Sequence, residues 1–72
     1  MTRTQIRLDT LRAVNDFVAA MSRLDCEVWL EDGSGSRVSA KSMLGALYSM
    51  EFARIYCYCE KDINGHLIPW AI

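Results

Sequence analysis

The sequence predicts an α+β fold in which two helices pack on one face of a four-stranded, mainly antiparallel sheet. Short segments that alternate apolar and polar residues, as strands do, are interleaved with two segments that carry apolar residues at helical spacing. The resulting order along the chain is β-α-β-β-α-β, and a glycine-rich turn joins the two central strands.

The first predicted strand leads into the longer predicted helix. In "RTQIRL" (residues 3–8), Ile6 and Leu8 share one face and alternate with polar residues. Asp9 or Thr10 is placed to cap the following helix, because either side chain accepts a bond from a free first-turn N–H. The apolar stripe of about four turns consists of Val14, Phe17, Val18, Met21 and Leu24.

A predicted hairpin follows this helix. In "CEVWLE" (residues 26–31), Cys26, Val28 and Leu30 share the core face. Trp29 therefore lies on the opposite face. The segment "DGSGS" (residues 32–36) supplies the aspartate and glycines of a tight turn. Residues 37–40 then pair back as the third strand.

The second half of the chain predicts a shorter helix and a fourth strand. Ser42 opens the helix, whose apolar side is Met43, Leu44 and Leu47. The strand is "ARIYCYCE" (residues 53–60), with Ile55, Cys57 and Cys59 on one face and Tyr56 and Tyr58 on the other. We therefore assign one domain to residues 1–62.

Residues 63–72 form a predicted C-terminal tail that packs on the domain or on a partner. The segment "INGHLIPWAI" has no helical period, and Pro69 disfavours a helix there. Its apolar residues still need cover, which either their own domain or a second chain can provide.

Composition and charge argue against a nucleic acid-binding protein and against a membrane-spanning one. The formal net charge of −1 and the lack of any lysine or arginine run argue against nucleic acid binding. No apolar run approaches the ~20 residues of a membrane span. The N-terminal segment has no secretory apolar region, and the odd number of cysteines, 3, fits reduced thiols, so we expect a cytoplasmic location.

The residues that carry chemistry indicate neither an enzyme nor a metal site. Cys57 and Cys59 lie on one face of a strand and are expected to be buried thiols, although Cys26 and His66 are two further residues of types that bind metals. His66, the sole histidine, lies in the tail and is expected to be solvated. No nucleophile–base set or phosphate-binding glycine loop is present. We expect no catalysis, no metal and no cofactor.

Three segments resemble the histidine-containing phosphocarrier protein HPr of the bacterial sugar phosphotransferase system. The best is "VSAKSMLGAL" (residues 38–47), similar to that family's strand, Lys-Ser junction and short helix with its glycine. The others are "FVAAMSRLDCEVWLED" (residues 17–32) and "ARIYCYCE", and the likeness spans roughly residues 3–61. The resemblance implies the family's open-faced β-sandwich.

The chain departs from this family at the site that carries phosphate. Thr10 stands where the family has its phosphoryl-accepting histidine, Arg12 matches the family's arginine, and Ala13 replaces its proline. A threonine phosphate ester is far more stable than a histidine phosphoramidate and cannot pass the group on. The resemblance therefore implies a protein that is not a phosphocarrier, with at most a residual anion site at Thr10 and Arg12. The family's third helix is also absent.

Ser42 has two interpretations. It is an ordinary helix cap, or it corresponds to the family's regulatory serine and is phosphorylated by a dedicated kinase. A histidine-free relative, the catabolite-repression HPr, acts through that serine. The resemblance thus implies regulation through protein contacts, with a kinase or a transcriptional regulator as partner.

A different class of function is a small self-associating or partner-binding module unconnected with phosphorylation. Trp29, Tyr56 and Tyr58 share the sheet face that the family leaves open to solvent. Trp70 in the tail is a further candidate interface residue, because the core lacks the helix that would close it. Both features predict a homodimer.

Overall fold

The computed structural model describes all residues, 1–72, and confirms the predicted order of elements. The elements are β1 (Thr2–Ile6), α1 (Leu11–Ser22), β2 (Trp29–Glu31), β3 (Arg37–Ser39), α2 (Met43–Ser49) and β4 (Ile55–Cys59), followed by a 3₁₀ turn (Asn64–His66). The predicted α+β class is correct.

The four strands form one antiparallel sheet in the order β1-β4-β2-β3. β4 lies inside the sheet, where Tyr58 is opposite Arg3 of β1 on one side and opposite Trp29 of β2 on the other. β3 pairs with β2 alone and is an outer strand. This is the open-faced arrangement expected from the sequence.

The strands are shorter than their alternation predicts. β2 begins at Trp29 rather than at residue 26, although the Val28 carbonyl still accepts a hydrogen bond from the Ala40 N–H at 2.9 Å. β1 covers residues 2–6 rather than 3–8, yet Leu8 remains buried beyond its end. Alternation identifies the buried face correctly but not the last paired residue.

The core lies between the sheet and the helices. α1 is capped by Thr10 and buries Val14, Phe17 and Met21 completely. Sheet residues of the same cluster include Ile6, Leu30, Ile55, Cys57 and Cys59. The predicted stripe is correct in its centre, while Leu24 lies beyond the end of the helix and is half-buried.

The predicted apolar side of α2 is correct for Leu47, which is half-buried against the core, but wrong for Met43 and Leu44. The buried residues of α2 are small, Ala46 and Ser49, whereas Leu44 is 81% exposed. A Cβ atom on Gly45 would lie 3.0 Å from the Ser39 carbonyl oxygen. Small residues therefore allow α2 to lie close against β3, and that approach leaves the side chains of Leu44 and Tyr48 in solvent.

The β2–β3 turn is held by one carboxylate. The Oδ1 atom of Asp32 accepts hydrogen bonds from the N–H groups of Ser34, at 2.8 Å, and Ser36, at 3.1 Å. These bonds hold the pKa of Asp32 below its ordinary value. Gly33 and Gly35 have φ of 86° and 114°, a region that favours glycine.

The C-terminal tail lies on its own domain. Ile63 and Leu67 are buried, and the ring of Trp70 meets Phe17 edge-on with centroids 5.2 Å apart. The Trp70 carbonyl accepts a 2.8 Å hydrogen bond from the Arg7 N–H, which brings the tail beside the end of β1. Within a single chain, the tail thus covers its own domain. The 3₁₀ turn within it was not predicted.

Neither helix could cross a lipid bilayer, because neither has the length and apolar character that a crossing requires.

Candidate functional site: the exposed face of the second helix

Ser42 is the N-cap of α2. Its backbone is extended, with φ −96° and ψ 123°, and its Oγ accepts a 3.1 Å hydrogen bond from the Gly45 N–H. This geometry is that of a helix cap, since the hydroxyl satisfies a first-turn donor that the helix itself leaves free. The side chain is also exposed, so a modifying enzyme could reach its oxygen.

Lys41, the residue before Ser42, points away from the serine's surroundings. Its Nζ donates to the Leu24 carbonyl oxygen at 2.5 Å, near the end of α1. The side chain is half-buried and links the two helices. Lys41 therefore has a structural partner and is not a free cation beside the serine.

An apolar surface begins next to Ser42. We define the α2 patch as Met43, Leu44 and Tyr48, which are 38%, 81% and 59% exposed. Leu44 and Tyr48 are neighbours at i and i+4 on the helix surface. The ring of Tyr48 is held edge-on against Phe52 with centroids 5.7 Å apart. Exposed apolar side chains that adjoin one another are typical of protein-binding surfaces.

Thr10 and Arg12 stand together at the start of α1 but do not form a cation-rich site. The Thr10 Oγ1 accepts a 3.0 Å hydrogen bond from the Ala13 N–H, and Arg12 Nε lies 4.0 Å from an Asp16 carboxylate oxygen. They border a cleft of about 550 Å³ in which Asp9 and Asp16 offset Arg7 and Arg12. This balance of charge gives an anion no clear advantage there.

The aromatic side chains of the open sheet face are half-buried because two arginines cover them. The guanidinium of Arg3 lies 4.4 Å from the ring centre of Tyr56. That of Arg37 lies 5.4 Å from the Trp29 ring centre and 5.0 Å from that of Tyr58.

Glu31 holds both arginines in place. Its carboxylate accepts a 3.0 Å hydrogen bond from Arg37 Nε and lies 3.5 Å from Arg3 Nε. Trp29, Tyr56 and Tyr58 thus share one face, as predicted. Trp70 is not among them, because it packs against Phe17 of α1.

The three cysteines differ in their surroundings. Cys57 and Cys59 are buried, as strand alternation predicts, and burial raises the pKa of Cys57 to about 12. Cys26 is half-buried and its sulfur lies 3.3 Å from that of Cys59. The pKa of Cys26 is raised, chiefly by its hydrogen bond with Cys59 and then by burial.

No three side chains of His, Cys, Asp or Glu converge in a way that could hold a metal ion. His66 is exposed in the 3₁₀ turn. No protein-family model, curated protein or solved structure matches the chain.

Several residues of these surfaces were missed from sequence. Tyr48 was not assigned to a surface, although its i+4 spacing from Leu44 is a visible signal. Arg3, Glu31 and Arg37 were also missed. Strand pairing places Arg3 opposite Tyr58, Glu31 opposite Tyr56 and Arg37 opposite Glu31, and this pairing is not visible in alternation alone.

Proposed function

We propose that this chain is a non-enzymatic regulatory protein that binds a partner protein through the α2 patch, with phosphorylation of Ser42 altering that contact. The observation that carries the proposal is an apolar surface, led by Leu44 at 81% exposed, on the helix that begins at the exposed hydroxyl of Ser42. Burying such side chains against a partner is favourable at ~25 cal/mol per Å².

The resemblance to HPr names the partner to test first. In that family a serine kinase acts at the corresponding Lys-Ser junction, and a transcriptional regulator responds to the phosphoserine. A phosphate on Ser42 adds about −1.5 to −2 charges at the border of the α2 patch. We infer that an apolar pocket bordered by basic side chains is the complementary surface on the partner.

Phosphate transfer through a histidine is not part of the proposed function. Thr10 uses its hydroxyl as a helix cap, and His66 is in the tail rather than at the start of α1. A cytoplasmic location is part of the proposal, because the family's kinase and regulator are cytoplasmic proteins.

The decisive experiment incubates the purified chain with the HPr serine kinase and ATP and measures intact mass. We expect the mass of one phosphoryl group to be added, and Ser42→Ala to abolish the gain. Leu44→Ser, which leaves the acceptor in place, should raise the KM for the chain by weakening docking. No gain with an active kinase would overturn the link to that family, and a gain that persists in Ser42→Ala would place the site elsewhere.

A parallel incubation uses the phosphotransferase enzyme that phosphorylates HPr on histidine. We expect no acid-labile phosphate on the chain. If it appears, the chain has kept a carrier function, and His66 becomes the residue to replace.

A second candidate function, self-association, is favoured by the open edge of β3. This strand pairs only with β2 and presents its other edge to solvent, where a second copy could add its own β3. From sequence, an incompletely closed core and an aromatic sheet face suggested a homodimer. Within one chain, the tail covers the core and the arginines cover the aromatic rings. Sedimentation at micromolar concentration tests a dimer directly, and a strictly monomeric mass would exclude it.

A further inference from the structure

The proposed function makes no use of the thiol pair Cys26 and Cys59. Their sulfur atoms lie 3.3 Å apart, although the residues are separated by 33 positions in the chain. Cys26 is in the connection between α1 and β2, and Cys59 is the last residue of β4. The fold, rather than local sequence, brings the two thiols together.

Of the two thiols, only that of Cys26 is accessible from solvent. Cys59 is buried, whereas Cys26 is half-buried and borders a surface cleft of about 340 Å³ together with Trp29, Arg37 and Lys61. A small reagent in this cleft meets the Cys26 sulfur first. The buried Cys59 sulfur, 3.3 Å from that of Cys26, is then the nearest second thiol.

We propose that Cys26 and Cys59 form a reversible intrachain disulfide by exchange with a low-molecular-weight disulfide such as oxidised glutathione. In the first step the Cys26 thiolate attacks one glutathione sulfur, which breaks the glutathione S–S bond, forms a mixed disulfide and releases one glutathione thiolate. In the second step the Cys59 sulfur attacks Cys26, forms the intrachain bond and releases the second glutathione.

The reaction balances with the reagent named. The two protein thiols lose two electrons and two protons, and oxidised glutathione takes up both to become two molecules of reduced glutathione. Cys57 takes no part, because it is buried in the core cluster and its sulfur has no thiol within hydrogen-bond distance.

The disulfide would connect the segment before β2 to the last residue of β4, so that one covalent ring contains β2, β3, α2 and β4. It therefore constrains the part of the chain that carries Ser42 and the α2 patch. The inference does not depend on the proposed function, since it follows from the cysteine pair alone.

The test equilibrates the full chain with excess oxidised glutathione at mildly alkaline pH, then denatures it and labels free thiols with a maleimide. Because two of the 3 cysteines are joined, the expected label count falls from three to one, and reduction should restore it. Cys26→Ser should prevent the intrachain bond. Cys57→Ala, the matched control, should still lose two labels.

Peptide mapping of the wild-type chain identifies the bond even if a variant folds poorly. Trypsin should yield residues 24–37 linked to residues 55–61, and cleavage after Tyr58 then separates Cys57 from Cys59. A link through Cys59 supports the proposal. Three labels retained, a link through Cys57, a stable glutathione adduct, or a disulfide between two chains would each overturn it.

Discussion

The two helices of this protein lie on the same face of the sheet but use opposite kinds of side chain against it. α1 turns large residues inward, with Phe17 and Met21 fully buried. α2 turns small residues inward and leaves Leu44 and Tyr48 in solvent. The contrast assigns the large side chains of α1 to the core, whereas Leu44 and Tyr48 of α2 contribute little to it and form the surface for which we propose a binding role.

The largest expected effect is at the centre of α1. Phe17→Ala should lower the free energy of unfolding by about 3–5 kcal/mol, because it removes a fully buried ring and leaves a cavity. Leu11→Ala, on the same helix but 68% exposed, should change it by less than about 0.5 kcal/mol. Urea denaturation measures both, and equal losses would contradict the assignment of α1 to the core.

The C-terminal tail, like α1, contributes a large side chain to the packing of the fold. Trp70→Ala should cost about 2 kcal/mol, since it removes apolar cover and an edge-on contact with Phe17. Ile68→Ala, in the same tail but 74% exposed, is the control and should be near neutral. The loss should not depend on protein concentration. Such a dependence would mean that the tail covers a second chain.

Gly45→Ala tests how closely α2 approaches β3. Helix propensity alone favours alanine by about 0.5–1 kcal/mol. The added Cβ would lie 3.0 Å from the Ser39 oxygen and 3.3 Å from the Val38 Cβ, so we expect a net loss of about 1 kcal/mol. Thermal unfolding decides the sign. Ala19→Gly, at an exposed position of α1, measures the propensity difference where no contact intervenes.

The smallest effect on stability is expected in the α2 patch. Leu44→Ser should change the free energy of unfolding by less than about 0.5 kcal/mol, because its side chain is 81% exposed. Leu47→Ser, on the same helix but half-buried against the core, should cost clearly more. If the two variants are equally destabilised in denaturant, the patch is part of the fold and not a free surface.

Sequence patterns predicted α1 well because its stripe is long. Val14, Phe17 and Met21 recur over about two turns of a 12-residue helix, and Thr10, one of two candidate caps, is the cap observed. The 3.6-residue period then allows only one buried face. The faces of β4 were equally clear, since Cys57 and Cys59 are buried and Tyr56 and Tyr58 are not.

The inward face of α2 could not be predicted by the same logic. In a helix of 7 residues the apolar set is too short to define a period, and assigning the largest residues to the core is wrong when small ones permit closer packing. The pairing of Cys26 with Cys59 was hidden for a related reason. It depends on where the chain between α1 and β2 returns, and no local pattern encodes that path.

The arginines over the open sheet face affect how copies of the protein behave in concentrated solution. Bare aromatic side chains on a flat sheet invite a second sheet to stack on them. Here Arg3 and Arg37 occupy the ring faces, and Glu31 neutralises only one of these two positive charges. A second sheet that stacked on these rings would have to displace both guanidinium groups from the ring faces and from Glu31, and the cost of that displacement opposes face-to-face contact.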